Sequence, residues 1–308
     1  MIPTHPPSDL PCFAYGSNLC GDELAGWLTR HGLDASHVRP LGPALLPDHA
    51  LSFGYFSQRR QAGALDVRPR RGSVVPGVLL APSAEGWRAL DAKEGVDTGA
   101  YHRLDTEAIR PDGAVVPVTV YVVTDARRLD AHQPPADEYL RTVERGYAAW
   151  GHDPAPLRRA ARREPGVAWV DAVFVYGTLL RGESNAHVLH DRPVRRVLEA
   201  TVRGALHETG EPYPVMVLDG DARVHGELVE LDDVEARLGP LDALEAFGGY
   251  GRPGRLYHRT LVRARTAEGE RLAWTYVAGE TVGRGPRIAT GSWRAHRAAP
   301  DATAARRG

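Results

Sequence analysis

Two stretches decide the architecture: CFAYGSNL, Cys12 to Leu19, and VFVYGTLL, Val173 to Leu180. Each is a short β-prone apolar run that ends in Tyr-Gly, and the second begins near the middle of a 308-residue chain. Working outward, the first is followed by LDAKEG (Leu90 to Gly95), YHR (Tyr101 to Arg103) and VTVYVV (Val118 to Val123). The second is followed by LDALEA (Leu241 to Ala246), YHR (Tyr257 to Arg259) and AWTYVA (Ala273 to Ala278). Seven residues separate Glu94 from Tyr101 and twelve separate Glu245 from Tyr257, while the steps from Tyr101 to Tyr121 and from Tyr257 to Tyr276 are 20 and 19. Four elements recurring in one order with near-equal spacing mark a duplicated structural unit.

The repeat predicts two domains, residues 12–151 and 171–282, a size each can support with its own core. Between them, GHDPAPLRRAARREPG (Gly151 to Gly166) has early prolines, an Arg-rich middle and a Pro165-Gly166 breaker, which predicts a short connecting helix over 152–170. Residues 283–308, rich in Gly, Arg and Ala, are expected to be a fraying tail, with Trp293 either docked on the body or free. Within the halves, HALSFGYF, GSVVPGVLLA and VVPVTVYVV, and then TVRGALHE, VHGELVEL and YHRTLVRAR, read as short strands between Gly/Pro turns. SAEGWRALDAKEG and PLDALEAF read as the equivalent helix of each half. The fold class expected is α+β: two tandem small mixed β-barrels with a few helices each.

Composition narrows the function classes. Hydrophobic residues make up 43% and charged ones 25%, with a net charge of −1, which suits a soluble protein with neither a nucleic-acid nor a membrane partner. Lys93 is the only lysine. The opening residues Met1 to Pro11 lack the charged and apolar regions of a signal peptide, and no apolar run reaches the ~20 residues of a membrane span. Cys12 and Cys20 are the only cysteines, a sparse use that predicts a reducing, cytoplasmic setting. No metal or cofactor motif is present: the 13 histidines show no ligand spacing, and His102 and His258 read as strand-surface residues. Gly249 to Gly254 satisfies GxGxxG but follows a helix and contains proline, so it is no dinucleotide loop.

The chemistry is expected at the repeated elements. In Tyr15-Gly16-Ser17-Asn18-Leu19 and Tyr176-Gly177-Thr178-Leu179, the glycine lets the chain turn sharply after a strand. Successive N–H groups there suit a carboxylate or a developing oxyanion. Glu94 and Glu245 each close an LDxxE segment, on the same helical face as Leu90 and Leu241. That face points toward the apolar interior, where desolvation raises a carboxyl pKa toward that of a useful base. An acid at a helix C-terminus opposes the dipole, so something other than stability places it there.

These residues resemble the γ-glutamylcyclotransferase family. FAYGSNL, LDAKEGVDTGAY, VTVYVV and the closing PPADEYLRTVERGYAAWG (Pro134 to Gly151) are similar to γ-glutamylcyclotransferase proper, and VFVYGTLLRGESNAHVL, EPYPVMVL and LDALE to the γ-glutamylamine cyclotransferase branch. The resemblance implies the cyclotransferase-like small barrel, with Glu94 and Glu245 catalytic and the two glycine loops binding substrate. It also assigns substrate holding to Tyr121, with Tyr101 and Tyr276 as further substrate-binding candidates. The implied reaction on a small γ-glutamyl amide needs no metal, cofactor or covalent nucleophile. The substrate's α-amine attacks its own γ-carbonyl to give 5-oxoproline, and the glutamate moves the proton from that amine to the leaving one. The second half departs from the family at Ala246, where glycine usually follows the glutamate, and carries the insert GGYGRPG (Gly248 to Gly254). The first half is therefore expected to do most of the work. Two other readings remain open at this stage: removal of a γ-glutamyl protecting group from an amine-containing natural product, and a non-catalytic γ-glutamyl-binding scaffold.

Overall fold

In the computed structural model, which describes residues 8–164 and 168–299, each repeat closes its own five-stranded barrel. The boundary between the two units falls between Trp169 and Val170, apart from Asp112–Ala114, which group with the second.

The first barrel uses β1 (Cys12–Ala14), β2 (Val38–Ser57), β3 (Ala62–Pro82), β4 (Tyr101–Ile109) and β5 (Val115–Val123), in the order β1-β3-β2-β4-β5. The parallel pairing of β1 with β5 closes the ring, and the other pairs are antiparallel. Leu46, Val67, Val75, Val78 and Val120 are fully buried, and β3 and β5 carry runs of consecutive buried residues, as strands covered on both faces do. The strands are not all short: β2 and β3 run 20 and 21 residues. Register shifts at Pro40/Gly42, Pro47/His49 and Ser52/Tyr55 bend this ribbon without ending it, so the Gly/Pro positions that read as turns are bulges.

The helices of this unit are α1 (Gly21–Arg30), α2 (Ala84–Glu94), α3 (Asp137–Ala149) and α4 (Ala155–Ala161). α2 opens on Ser83, whose side chain accepts from the Gly86 amide, and stops at Gly95 in the left-handed conformation (φ 67°). It buries Trp87 and Leu90, which fixes Glu94 as its last residue. α4 lies in the stretch expected to connect the domains and buries Leu157 in the first core. The Pro165-Gly166 breaker lies outside the described residues.

The second barrel has the order β10-β6-β12-β11-β7, from β6 (Ala172–Val175), β7 (Arg196–Arg203), β10 (Arg223–Glu230), β11 (Tyr257–Thr266) and β12 (Gly269–Ala278). TVRGALHE is two strands rather than one: β7 stops at Arg203, and β8 (Ala205–Glu208) leaves to pair with β9 (Pro214–Val217). Besides α5 (Ala186–His190), the unit contains α6 (Val234–Leu244) and α7 (Trp293–Ala298). α6 starts earlier than PLDALEAF suggests, because Asp233 caps the Ala236 amide, and Pro240 sits inside it. Ile288 and Trp293 are buried in the second core and Ser292 caps α7. Order thus continues to Ala299, where fraying was expected; residues 300–308 lie outside the described residues. Among the described residues no helix is long and apolar enough to cross a membrane.

Candidate active site

Each barrel has a cavity where its first strand runs into the Tyr-Gly loop and its principal helix ends. The first, of about 40 Å³, is lined by Tyr15, Gly16, Ser17, Asn18, Glu94, Tyr101, Tyr121 and Tyr139, among others. The second, of about 190 Å³, is lined by Tyr176, Gly177, Thr178, Leu179, Asn185, Tyr213, Pro214, Glu245, Tyr257 and Tyr276, with apolar neighbours. Each glutamate faces the glycine loop of its own repeat. Both glycines are crowded: a Cβ at Gly177 would stand 3.0 Å from the Pro214 ring and one at Gly16 would stand 3.3 Å from the Tyr139 hydroxyl. Ser17 and Asn18 open a single turn of 3-10 helix, Ser17–Leu19, so their amides have no partner within that turn.

The helix that carries each glutamate is locked by the same three residue types. In the first unit Arg103 grips Asp91 through two bonds, Nε to Oδ1 at 2.8 Å and Nη2 to Oδ2 at 2.7 Å, and the Tyr121 hydroxyl donates to Asp91 at 2.7 Å. In the second, Arg259 Nη1 donates to both Asp242 oxygens at 2.8 and 2.6 Å, and the Tyr276 hydroxyl donates to Asp242 at 2.7 Å. Arg259 is wholly buried, stacked 5.0 Å from both the Phe247 and the Trp274 rings. Asp91 and Asp242 are the acids of the two LDxxE motifs and Arg103 and Arg259 the arginines of the two YHR motifs. The repeated motifs therefore encode a clamp that holds each catalytic candidate three residues further on. The loop tyrosines brace the late strand, with Tyr15 donating to the Tyr121 carbonyl at 2.7 Å and Tyr176 to the Tyr276 carbonyl at 2.9 Å.

The two glutamates differ in their hydrogen bonding. Asn18 Nδ2 donates to Glu94 Oε1 at 2.8 Å. At the matching loop position the second repeat has Leu179, and no hydrogen bond from the described residues reaches the Glu245 carboxylate. Burial without compensation pushes the Glu245 pKa up to about 7. The surrounding phenols Tyr176, Tyr257 and Tyr276 are all shifted upward, chiefly by burial, and stay neutral. In its own cavity Asn18 Oδ1 is buried without a partner.

Several expectations need correction. Leu19 does not reach the cavity; it is core, and a Cβ on Gly146 of α3 would fall 2.5 Å from its own Cβ. Tyr121 and Tyr276 line the cavities with their rings, but their hydroxyls are committed to aspartates, and the Tyr101 hydroxyl is committed to the Leu65 carbonyl at 2.6 Å. His258 is half-buried on its strand: its Nδ1 lies 2.8 Å from Arg255 Nη1 and its Nε2 3.9 Å from Glu280 Oε1. The insert Gly248 to Gly254 lines neither cavity; its Tyr250 donates to the Arg259 carbonyl at 2.9 Å and braces the clamp. The second cavity is the roomier of the two, about 190 Å³ against about 40 Å³. Ala246 does take the left-handed conformation, with φ 52°, that Gly95 takes in the first unit. Tyr139, Tyr257, Tyr213 and the two Asp–Arg pairs were missed as site residues. The repeat itself carried the signal for all but Tyr139 and Tyr213, because the Asp, the Arg and the YHR tyrosine recur with the glutamate.

A family model described as Gamma-glutamyl cyclotransferase, AIG2-like matches residues 12–144 and 173–295. A gamma-L-glutamyl-butirosin B gamma-glutamyl cyclotransferase from Niallia circulans is 34% identical over 105 residues, 34% of this chain and 65% of the relative. A putative gamma-glutamylcyclotransferase from Vibrio cholerae serotype O1 is 42% identical over 73 residues, 24% of this chain and 60% of the relative. The matches thus span somewhat under two thirds of these curated relatives. A solved gamma-glutamyl cyclotransferase structure aligns with a TM-score of 0.43 at 22% identity, covering 51% of this chain and 89% of its own.

Proposed function

This chain belongs to the Gamma-glutamyl cyclotransferase, AIG2-like family, and on that premise we propose that it cleaves γ-glutamyl amides to 5-oxoproline and a free amine, chiefly at the second cavity. The observation that carries the reading is Glu245: a carboxyl with a pKa of about 7, opposite the Tyr176-Gly177-Thr178-Leu179 loop, in a cavity of about 190 Å³.

The α-amine of the substrate attacks its own γ-carbonyl carbon, so binding contributes mainly by freezing the curled conformer in which nitrogen and carbon meet. At neutral pH Glu245 is partly ionised and takes a proton from the α-ammonium, whose reference pKa is about 7.7–8.0. The new C–N bond forms, the carbonyl oxygen carries negative charge, and the amides of the glycine loop stabilise it. As the old C–N bond breaks, Glu245 passes the proton to the leaving amine and then accepts the second proton shed by the ring nitrogen, which it releases to solvent, so one group with a pKa near the working pH serves every transfer. The tyrosine rings exclude water, and the Asp242–Arg259–Tyr276 clamp keeps α6 from moving the carboxyl. Glu94 takes the same part in the first cavity, the smaller of the two. The reading places the chain in the cytoplasm, in keeping with Cys12 and Cys20, which are both buried free thiols.

A second reading gains from the butirosin-related relative: the amine released is part of a natural product from which a γ-glutamyl protecting group is removed. The test is 5-oxoproline release by purified protein from γ-glutamyl amino acids, simple γ-glutamyl amines and γ-glutamyl-butirosin B. Glu245→Gln is expected to cost roughly 10²–10⁴-fold on the best substrate, and Glu94→Gln much less. No release from the whole panel leaves the binding-only reading as the better one; the reverse order of the two variants assigns the work to the first cavity.

A further inference from the structure

The two glycine loops are held from behind in different ways. In the first unit the chain passes from Leu19 and Cys20 straight into α1, whose Leu24 amide donates to the Cys20 carbonyl at 3.0 Å, and Trp150 Nε1 donates to the Leu19 carbonyl at 3.1 Å. The second loop runs into no such helix: α5 begins only at Ala186 and is five residues long. Instead, the main chain of Arg181, two residues past Leu179, is gripped on both sides. Its amide donates to Glu227 Oε2 at 3.0 Å, and its carbonyl accepts from Arg294 Nη2 of α7 at 2.6 Å. Arg294 Nη2 also reaches Glu227 Oε1 at 3.0 Å, so carboxylate, guanidinium and peptide close a ring.

Glu227 is an unusual residue for its place. Gly77 and Gly226 match between the barrels, since a Cβ on either would strike the ring of Phe13 or Phe174. The next residue pairs with the one just before the loop tyrosine, Val78 with Ala14 and Glu227 with Val175. Valine in the first barrel is thus a buried carboxylate in the second. A buried carboxylate is costlier to fold than valine unless it is paired, and both partners of Glu227, the Arg181 residue and Arg294, bear on the loop.

We infer that Arg294 is a positioning residue of the second active site: with Glu227 it fixes the Arg181 peptide, and through it the Tyr176-Gly177-Thr178-Leu179 loop, so that α7 is part of that site. The inference rests on the cyclotransferase reading. Upstream the loop is fixed by Tyr176, whose hydroxyl donates to the Tyr276 carbonyl. Within it, Leu180 donates to the Gly177 carbonyl at 3.1 Å, and Asn185 donates to the Thr178 carbonyl at 2.9 Å and to its hydroxyl at 3.1 Å. The Arg181 clamp supplies the downstream anchor. Loop amides stabilise an oxyanion best when they need not reorganise as the charge develops. Arg294 does not line the second cavity, so it acts on the reaction through the peptide.

The experiment uses Glu94→Gln protein, where the second cavity acts alone, with whichever of γ-glutamyl-ethylamine, γ-glutamyl-alanine and γ-glutamyl-butirosin B it turns over fastest. Adding Arg294→Gln is expected to lower kcat roughly 10- to 100-fold and to leave KM within about 3-fold, because the loop acts on charge that appears only in the transition state. Arg294→Lys keeps a cationic donor beside Glu227 and restores much of the rate. Arg297→Gln removes only the side-chain contact of α7 with Glu183 and leaves kcat within about 2-fold, which separates loop position from helix docking. In Glu245→Gln protein, Arg294→Gln leaves turnover by the first cavity unchanged. Folding is checked by thermal melt. If Arg294→Gln does not fold, Glu227→Gln takes its place: it keeps an acceptor for the Arg181 amide but loses the charge that holds Arg294, and the same fall in kcat is expected. An unchanged kcat, a rise in KM alone, or an equal loss in Arg297→Gln overturns the inference while the cyclotransferase reading stands. So does an inactive Glu94→Gln protein beside an active Glu245→Gln protein. No turnover by the unaltered chain overturns both.

Discussion

Replacing Glu245 by Gln should make the protein more stable at pH 8 while it removes the base. Burial lifts the Glu245 pKa from the ordinary 4.5 to about 7. Between those values the folded protein holds a proton that the unfolded chain has released, so folding takes up a proton and stability falls as pH rises through that window. The contribution is fully present below pH 4.5 and gone above about pH 7. At ~1.4 kcal/mol per pH unit, the difference amounts to about 3 kcal/mol. Gln keeps the size, carries no charge at either pH, and so removes this slope. Urea unfolding at pH 5 and pH 8 of both proteins isolates the effect, because every other titrating group cancels in the comparison. The variant should gain about 2.5 kcal/mol relative to the unaltered chain on going from pH 5 to pH 8, with most of the gain between pH 5 and 7. Parallel pH profiles for the two proteins would show that the Glu245 carboxyl is solvated like an ordinary surface acid, and the assignment of Glu245 as a tuned base would fail with them.

The remaining predictions concern the two positions where the repeats diverge. Leu179→Asn installs the donor that Asn18 offers to Glu94 at 2.8 Å; bonding to the ionised form lowers a carboxyl pKa, so the acid limb of the kcat/KM–pH profile, measured in Glu94→Gln protein, should move from near pH 7 to at least about one unit lower. An unmoved limb means that Glu245 does not set it. Ala246→Gly relieves a left-handed residue at φ 52° and should stabilise by about 1 kcal/mol, whereas Gly95→Ala should destabilise, since its Cβ would also stand 2.9 Å from Thr98 Oγ1. Denaturant midpoints that move in the same direction for the two substitutions would refute this account of the helix stop.

The duplication, the loop-plus-glutamate pairs and the helix that ends at Glu94 were legible in the sequence because they depend on local order: a β-prone run before Tyr-Gly, and an LDxxE segment stopped by Gly95. Ala246 likewise marked a break in the pattern, and the structure supplied its cost as a positive φ. What the sequence could not carry was anything set by atoms that meet across the barrel. The clamp joins Asp91 to Arg103 and Tyr121, and Asp242 to Arg259 and Tyr276, across strands and a helix, so the late tyrosines looked like ligands of substrate when their hydroxyls were already committed. Bulges carried β2 and β3 through residues that read as turns, since a register shift is visible only against the partner strand. The balance between the halves was also a tertiary matter. Local signs favoured the first, but the room left inside each barrel and the neighbours of the buried Glu245 carboxyl, where Leu179 replaces Asn18, were set by the fold. Desolvation and its compensation depend on every neighbour in three dimensions, and no single stretch of chain contains them.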